Sequence, residues 1–155
     1  MGKDIHVKVL EKNEGVWKEI KLYSKNDKGE FYPIDFYPFR NYELFDILDK
    51  SIPFSSIEME TLPEDLKKEI EDFDYGFSFK ETTLADLKIY FYNYPKIESW
   101  DYEDENKKEI EKKLKDNPIK DFIERIENYC DIADSFVWNY LRIASKIRII
   151  YWFDC

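Results

Sequence analysis

The sequence predicts an α+β fold: an N-terminal three-stranded antiparallel meander packed against several helices, with a long C-terminal helix. Three observations predict it. Apolar and polar residues alternate up to Phe36, the period of half-buried strands. Beyond it, apolar residues recur three and four apart, the period of helices. Gly, Pro, Asn and Asp punctuate the change from one pattern to the other.

The first strand is read from Ile5-His6-Val7-Lys8-Val9, where Ile5, Val7 and Val9 share one face and Asp4 and His6 the other. Glu11 to Gly15 reads as a turn. Val16 to Tyr23 is the second strand, with Val16, Ile20 and Leu22 on one face. A second turn around Asn26 and Gly29 leads to a third strand, Phe31 to Phe36, which Pro33 confines to an edge. Asn41 then caps a helix whose inner face is Leu44, Phe45 and Leu48. Thr61-Leu62-Pro63-Glu64 has capping-box spacing and opens a helix to Phe73. Thr83-Leu84-Ala85-Asp86 opens another, with Leu84, Leu87, Phe91 and Tyr94 inward, and Pro95 ends it. Glu103 to Lys115 is a charged helix, acids first and lysines last, as the helix dipole prefers.

Asn117-Pro118 starts the last helix. Ile119, Phe122, Ile126, Tyr129, Ala133, Phe136, Tyr140, Ala144 and Ile147 keep the helical spacing throughout, which predicts one long helix crossing the core; the alternative is a helix that also pairs with a second copy of itself. The tail Ile147 to Phe153 is apolar on nearly all sides, more than one helix face can use. It reads as an oligomer contact or as a strand returning to the sheet.

A chain of 155 residues fits one domain, here an α+β part over 1–95 and a helical part over 96–155. Aromatics make up 18% of it, so the core is built largely from rings. The net charge of -10 argues against direct binding to DNA, RNA or an anionic membrane. The charge is uneven: Asn41 to Tyr75 holds eleven acids against three bases, a surface suited to a basic partner. Two cysteines without paired spacing and a single histidine point to no disulfide framework, metal site or cofactor. No signal peptide or transmembrane helix is expected, which fits a cytoplasmic protein.

No motif specifies a reaction, so no catalytic residue is assigned. Several polar residues stand where binding chemistry is possible. Asp4 beside His6 can orient the imidazole, and the plain alternative is a solvated sheet face. Arg40-Asn41-Tyr42 sits at a helix start, where N–H groups and a forked guanidinium suit an anion. The plain alternative is a cap and a surface ion pair. Ser78 and Lys80 lie beside the flexible turn at Gly76, between two rings, and can line a pocket. Arg142 and Lys146, with Ser135, Asn139 and Trp138 nearby, form a basic stripe that also reads as a solvated helix face.

The opening Met1-Gly2-Lys3-Asp4-Ile5-His6 resembles a family of small phage and bacterial proteins of unassigned activity that begin Met-Gly-Cys-Asp-Ile-His. The likeness continues with Trp17, with Arg40-Asn41-Tyr42-Glu43-Leu44-Phe45, with Leu62-Pro63-Glu64-Asp65, and with Ser78 to Leu87. It covers roughly the first ninety residues. Lys3 replaces the family's Cys. Gly76-Phe77 stands near the place of a second His, and the Trp of the serine segment is lost. The resemblance implies a phage-type accessory protein acting in phage–host conflict, in the host cytoplasm. The lost His favours binding over catalysis. The expectation is a non-enzymatic protein that holds a small anionic or nucleotide-like ligand with Asp4, His6, Arg40, Asn41, Tyr42, Ser78 and Lys80. Two alternatives stand beside it: an acidic inhibitor that blocks a nucleic-acid-binding host protein, and a hydrolase using Asp4 and His6.

Overall fold

The computed structural model describes residues 3–50, 54–73, 76–92, 118–132 and 137–154. The expected helix Glu103 to Lys115, the stop at Pro95, and Tyr94, Ala133, Ser135 and Phe136 lie outside the described residues. So does the Trp138 side chain.

Strand β1 (Asp4–Asn13) turns through Glu14 and Gly15 into β2 (Val16–Ile20). Both turn residues have positive φ, 53° and 80°, the geometry that lets a two-residue connection follow strand twist. β3 (Leu22–Lys25) and β4 (Phe31–Ile34) form a separate hairpin. Helix α1 (Tyr42–Lys50) follows, then a short 3₁₀ turn at Met59–Thr61 and α2 (Glu64–Glu71). β5 (Phe77–Thr83) runs straight into α3 (Leu84–Tyr92). The C-terminal part holds α4 (Pro118–Cys130), α5 (Val137–Ala144) and β6 (Ile147–Asp154).

The main sheet is four-stranded and antiparallel, in the order β2-β1-β6-β5. The expected three-stranded meander is thus corrected. Its second strand breaks at Lys21, the first half staying on β1 and the second pairing with β4. Alternation reports which face of a strand is buried and says nothing of its neighbour. The neighbour of β1 is the C-terminal tail, of which Ile147 through Phe153 are all buried.

This strand explains the tail's composition. Ile147, Ile149, Tyr151 and Phe153 join Ile5, Val7 and Val9 in a core covered by α1, α3, α4 and α5. Ile150 and Trp152 join Leu10 on the other face, beneath Leu62, Leu66 and Ile70 of the α2 region. A strand buried on both faces must be apolar on both. Its apolar surface is consumed within the chain, so the tail is no oligomer contact here.

The single long helix is corrected as well. Asp131 takes a left-handed conformation, φ 57°. The Ile132 N–H donates to Glu127 O at 3.2 Å and the Asp131 N–H to Asn128 O at 3.4 Å, a Schellman closure that ends α4 at Cys130. The helical spacing survives the break because Ile119, Phe122, Ile126, Tyr140 and Ala144 all reach one core.

Other local expectations divide. Asn41 Oδ1 accepts from the Leu44 N–H at 3.1 Å and caps α1. Thr83 Oγ1 accepts from the Asp86 N–H at 3.1 Å and caps α3. Thr61 does not cap α2; Pro63 stands at that position without a side-chain bond. The Thr61 hydroxyl instead donates to Glu58 O and accepts from Arg148.

Candidate functional site

Pairing β1 with β6 places the two ends of the chain side by side. Asp4 lies opposite Asp154, and His6 opposite Trp152. The His6 Nε2–H donates to Asp154 Oδ2 at 2.6 Å. The imidazole stacks on Trp152, with centroids 5.4 Å apart, and meets the edge of Phe73 at 4.8 Å. Asp4 does not orient His6. It accepts a forked pair from Arg40, 2.6 Å from Nε and 3.3 Å from Nη2. That bond holds the Asp4 carboxyl below the usual carboxylate range and raises the Arg40 guanidinium. Two facing carboxylates would repel; the guanidinium neutralises Asp4, and Asp154 accepts the imidazole N–H.

Three of the expected site residues, Asp4, His6 and Arg40, therefore do meet, with Asp154 as a fourth that the sequence did not reveal. The others are elsewhere or engaged. Asn41 is spent on its helix cap. Tyr42 is exposed and edge-on to Phe45. Ser78 has φ 55° and sits at a bulge, where Phe77 faces Phe153 and Lys80 faces Tyr151. Because Lys80 pairs with Tyr151, it lies on the opposite sheet face from His6. Its ammonium donates to Asp49 O, and Tyr151 Oη donates to Leu48 O at 2.6 Å. Together they satisfy the last carbonyls of α1.

The basic stripe is exposed, with Arg142 on α5 and Lys146 in the turn after it. The third base of the tail differs. Arg148 is 4% exposed, and its guanidinium binds Glu81 at 2.7 Å, Thr61 Oγ1 at 2.7 Å and Glu58 O at 2.9 Å. This network ties β6 and β5 to the segment before α2. An arginine inside an apolar strand was its sequence signal, since such a charge is buried only when paired.

A different feature opens further along β1. Where β2 leaves β1 at Lys21, a cleft of about 650 Å³ lies between β1, the β3–β4 hairpin and the Asp35–Pro38 segment. That volume is in the range of ligand-binding clefts. Val7, Ile20, Leu22, Ile34 and Phe36 supply apolar walls. Lys8 pairs with Glu69 at 3.0 Å, and Lys21 lies 3.8 Å from Glu19. Burial raises the Glu19 carboxyl, Lys8 and Lys21 draw it back in part, and Glu69 and Asp65 add a smaller push upward. Arg125 is held on the far wall by Phe36 O and the ring of Phe39.

The hairpin that forms one wall extends outward. Tyr23 and Pro33 face each other on it and line the cleft, and Phe31 continues the same face. Phe31 is 72% exposed and Tyr23 56%. Grouped exposed rings of this kind mark interaction surfaces. On the other flank, Glu64, Asp65, Glu69, Glu71 and Asp72 are exposed on and just after α2. Sequence reading missed the cleft because its walls come from segments far apart in the chain.

Among the described residues, no helix is long and apolar enough to cross a membrane, and no group of three His, Cys, Asp or Glu side chains is placed to hold a metal ion. No family model matches the chain, no curated protein matches it, and no solved structure matches it.

Proposed function

We propose that the protein is a non-enzymatic binding protein whose target is a basic protein surface, met by the cleft, the exposed β3–β4 hairpin and the acidic flank of α2. One observation carries this reading: the exposed rings of Tyr23 and Phe31 continue a cleft of apolar and charged walls, and the surface acids of α2 flank it. Aromatic anchors inside a charged rim are the usual anatomy of a protein-binding patch. The net charge of -10 favours a basic partner and predicts that association weakens as salt rises. The resemblance of the N-terminal part supports a phage-type accessory role, interference with a host defence protein in the host cytoplasm.

The small-anion reading asks for free donors at Arg40, Asn41 and Lys80. Arg40 and Lys80 already serve internal acceptors, Asp4 and Asp49 O, and Asn41 Oδ1 is held by the Leu44 N–H as the cap of α1. The hydrolase reading asks Asp4 to orient His6, and Asp4 is bound to Arg40 instead.

Two parallel measurements test the reading. In affinity capture from bacterial lysate, wild type is expected to retain a basic protein that a Tyr23→Ser/Phe31→Ser variant loses, with retention falling as salt rises. In a thermal-shift screen, nucleotides, cyclic dinucleotides and ADP-ribose derivatives are expected to leave the melting temperature unchanged. A clear shift with one phosphorylated compound, removed by Arg40→Ala, would overturn the protein-partner reading and restore the small-anion one.

A further inference from the structure

Arg142 and Lys146 stand exposed at the end of α5 and in the turn after it. That turn is fixed against the last residues of β1, where the Lys12 N–H donates to Lys146 O at 2.9 Å. Around the junction, Glu11, Lys12, Asn13, Arg142, Ile143 and Lys146 line a second, smaller cleft of about 220 Å³. Three of these residues are bases and one is an acid. Among the described residues, Lys12, Arg142 and Lys146 pair with no carboxylate, Glu11 included. Other bases of the main sheet and its helices are paired, Lys8 with Glu69, Lys88 with Glu127 and Arg148 with Glu81. The Lys12 ammonium lies 5.6 Å from the Trp17 ring centroid, a contact that leaves its charge in place. Bases at a helix C-terminus often answer unsatisfied carbonyls. Here those carbonyls have other donors. Leu141 O accepts from the Ser145 N–H at 3.0 Å, Arg142 O from Ser145 Oγ at 2.8 Å, and Ile143 O from the Lys146 N–H at 3.0 Å. The guanidinium and the ammonium are left to meet a ligand.

We propose that this second cleft docks an acidic segment of a partner polypeptide, whose Asp and Glu carboxylates bind Arg142, Lys146 and Lys12. The inference goes beyond the protein-binding reading above, because neither the larger cleft nor the β3–β4 hairpin takes part in it. Charge selects the sign of the occupant. Three bases against one acid leave the lining two positive charges on a chain whose net charge is -10. At physiological ionic strength, repulsion from charges beyond about 8 Å is largely screened, so the local bases decide. Size and spacing select the kind of occupant. The volume is below the roughly 300–1,000 Å³ of clefts that enclose a whole small molecule. The bases are also spread out, with Arg142 and Lys146 four residues apart and Lys12 supplied by another element. Glu11 among them opposes one dense dianion more than it opposes single carboxylates carried along a chain. The Arg142 fork suits a carboxylate, and the exposed Asn13 amide adds a neutral donor.

A labelled peptide of alternating Glu and Ser, titrated against the whole chain by fluorescence anisotropy, provides the probe. Binding is expected, and in NMR the Asn13 side-chain amide and the Arg142 Nε–H are expected to shift with it. Arg142→Glu and Lys146→Glu, both at exposed positions, are each expected to weaken the peptide about tenfold, with unchanged circular dichroism confirming the fold. Lys28→Glu makes the same charge change at the exposed hairpin turn and is expected to alter affinity less than about twofold. Absence of peptide binding, or equal weakening by Lys28→Glu, overturns the site. Inorganic phosphate that shifts the same NMR signals and that the peptide fails to displace assigns the cleft to a small anion and overturns the polypeptide occupant. Self-association without peptide that Arg142→Glu abolishes assigns the cleft to the acidic surface of a second copy and likewise overturns it. Tyr23→Ser/Phe31→Ser is expected to keep peptide binding, so this inference and the wider reading fail separately.

Discussion

Two arginines of this protein each bind a carboxylate in a fork, and they differ in everything that sets the value of such a bond. Arg148 lies on the central strand, 4% exposed, with its donors spread over Glu81, Thr61 and Glu58. Arg40 lies just before α1 and binds Asp4 at the start of β1, and its side chain is 56% exposed. Around Arg148 the sheet is closed: β6 is paired on both sides and covered on both faces. Where β2 turns away from β1 it is open: a cleft has formed, and rings stand in solvent. The closed side shows what holds the fold. The open side shows surface that stability does not require, and that surface is where binding is expected.

The largest effect is expected at the closed side. Arg148→Met leaves the Glu81 carboxylate in a nearly dry site without its cation and costs about 3–5 kcal/mol in denaturant unfolding. Adding Glu81→Leu should recover much of that, because the uncompensated charge goes with it. A loss no larger than that of a surface ion pair would erase the distinction between the two sides.

Gly76→Ala comes next. A Cβ there would fall 2.5 Å from the Phe79 ring and 2.9 Å from both Phe73 and Trp152, in the aromatic stack behind His6. Overpacking of this sort costs about 1–3 kcal/mol, read as a lower melting temperature. At the open side, Phe31→Ser is expected to change stability by no more than about 0.5 kcal/mol, because the ring is solvated already. The same change should reduce partner capture, which separates a binding role from a structural one.

The smallest effect on stability belongs to Arg40→Ala. Its signature is in the pH dependence. Asp4's carboxyl is held below its unfolded value by the Arg40 bond. The pair therefore contributes above the unfolded pKa, and the contribution is lost as pH falls through the folded one. In Arg40→Ala the Asp4 carboxyl, followed by NMR, should titrate in the usual carboxylate range, and this part of the acid-side loss should vanish. An unchanged Asp4 titration would show that Arg40 does not hold it in solution.

Legibility in the sequence followed the range of the interactions. The caps at Asn41 and Thr83, the faces of β1 and the inner face of α1 were readable, since each depends on residues within a few positions. The end of α4 was not, because Asp131 gives no glycine signal and the core on both sides of the break keeps one spacing. Of the candidate site, Asp4, His6 and Arg40 were found through strand parity and a helix boundary. Asp154, which binds His6 from 148 residues away, left no local trace.

By itself, then, the sequence determined the fold class, the ring-rich core and the acidic surface, because composition and period act residue by residue. Only the tertiary structure decided that the tail is an inner strand of the sheet, that Lys80 serves a helix end, and that a cleft forms where β2 leaves β1. Those outcomes depend on which strand sits beside which. Strand neighbours are chosen by burial and backbone pairing summed over the whole chain, and no local pattern encodes that choice.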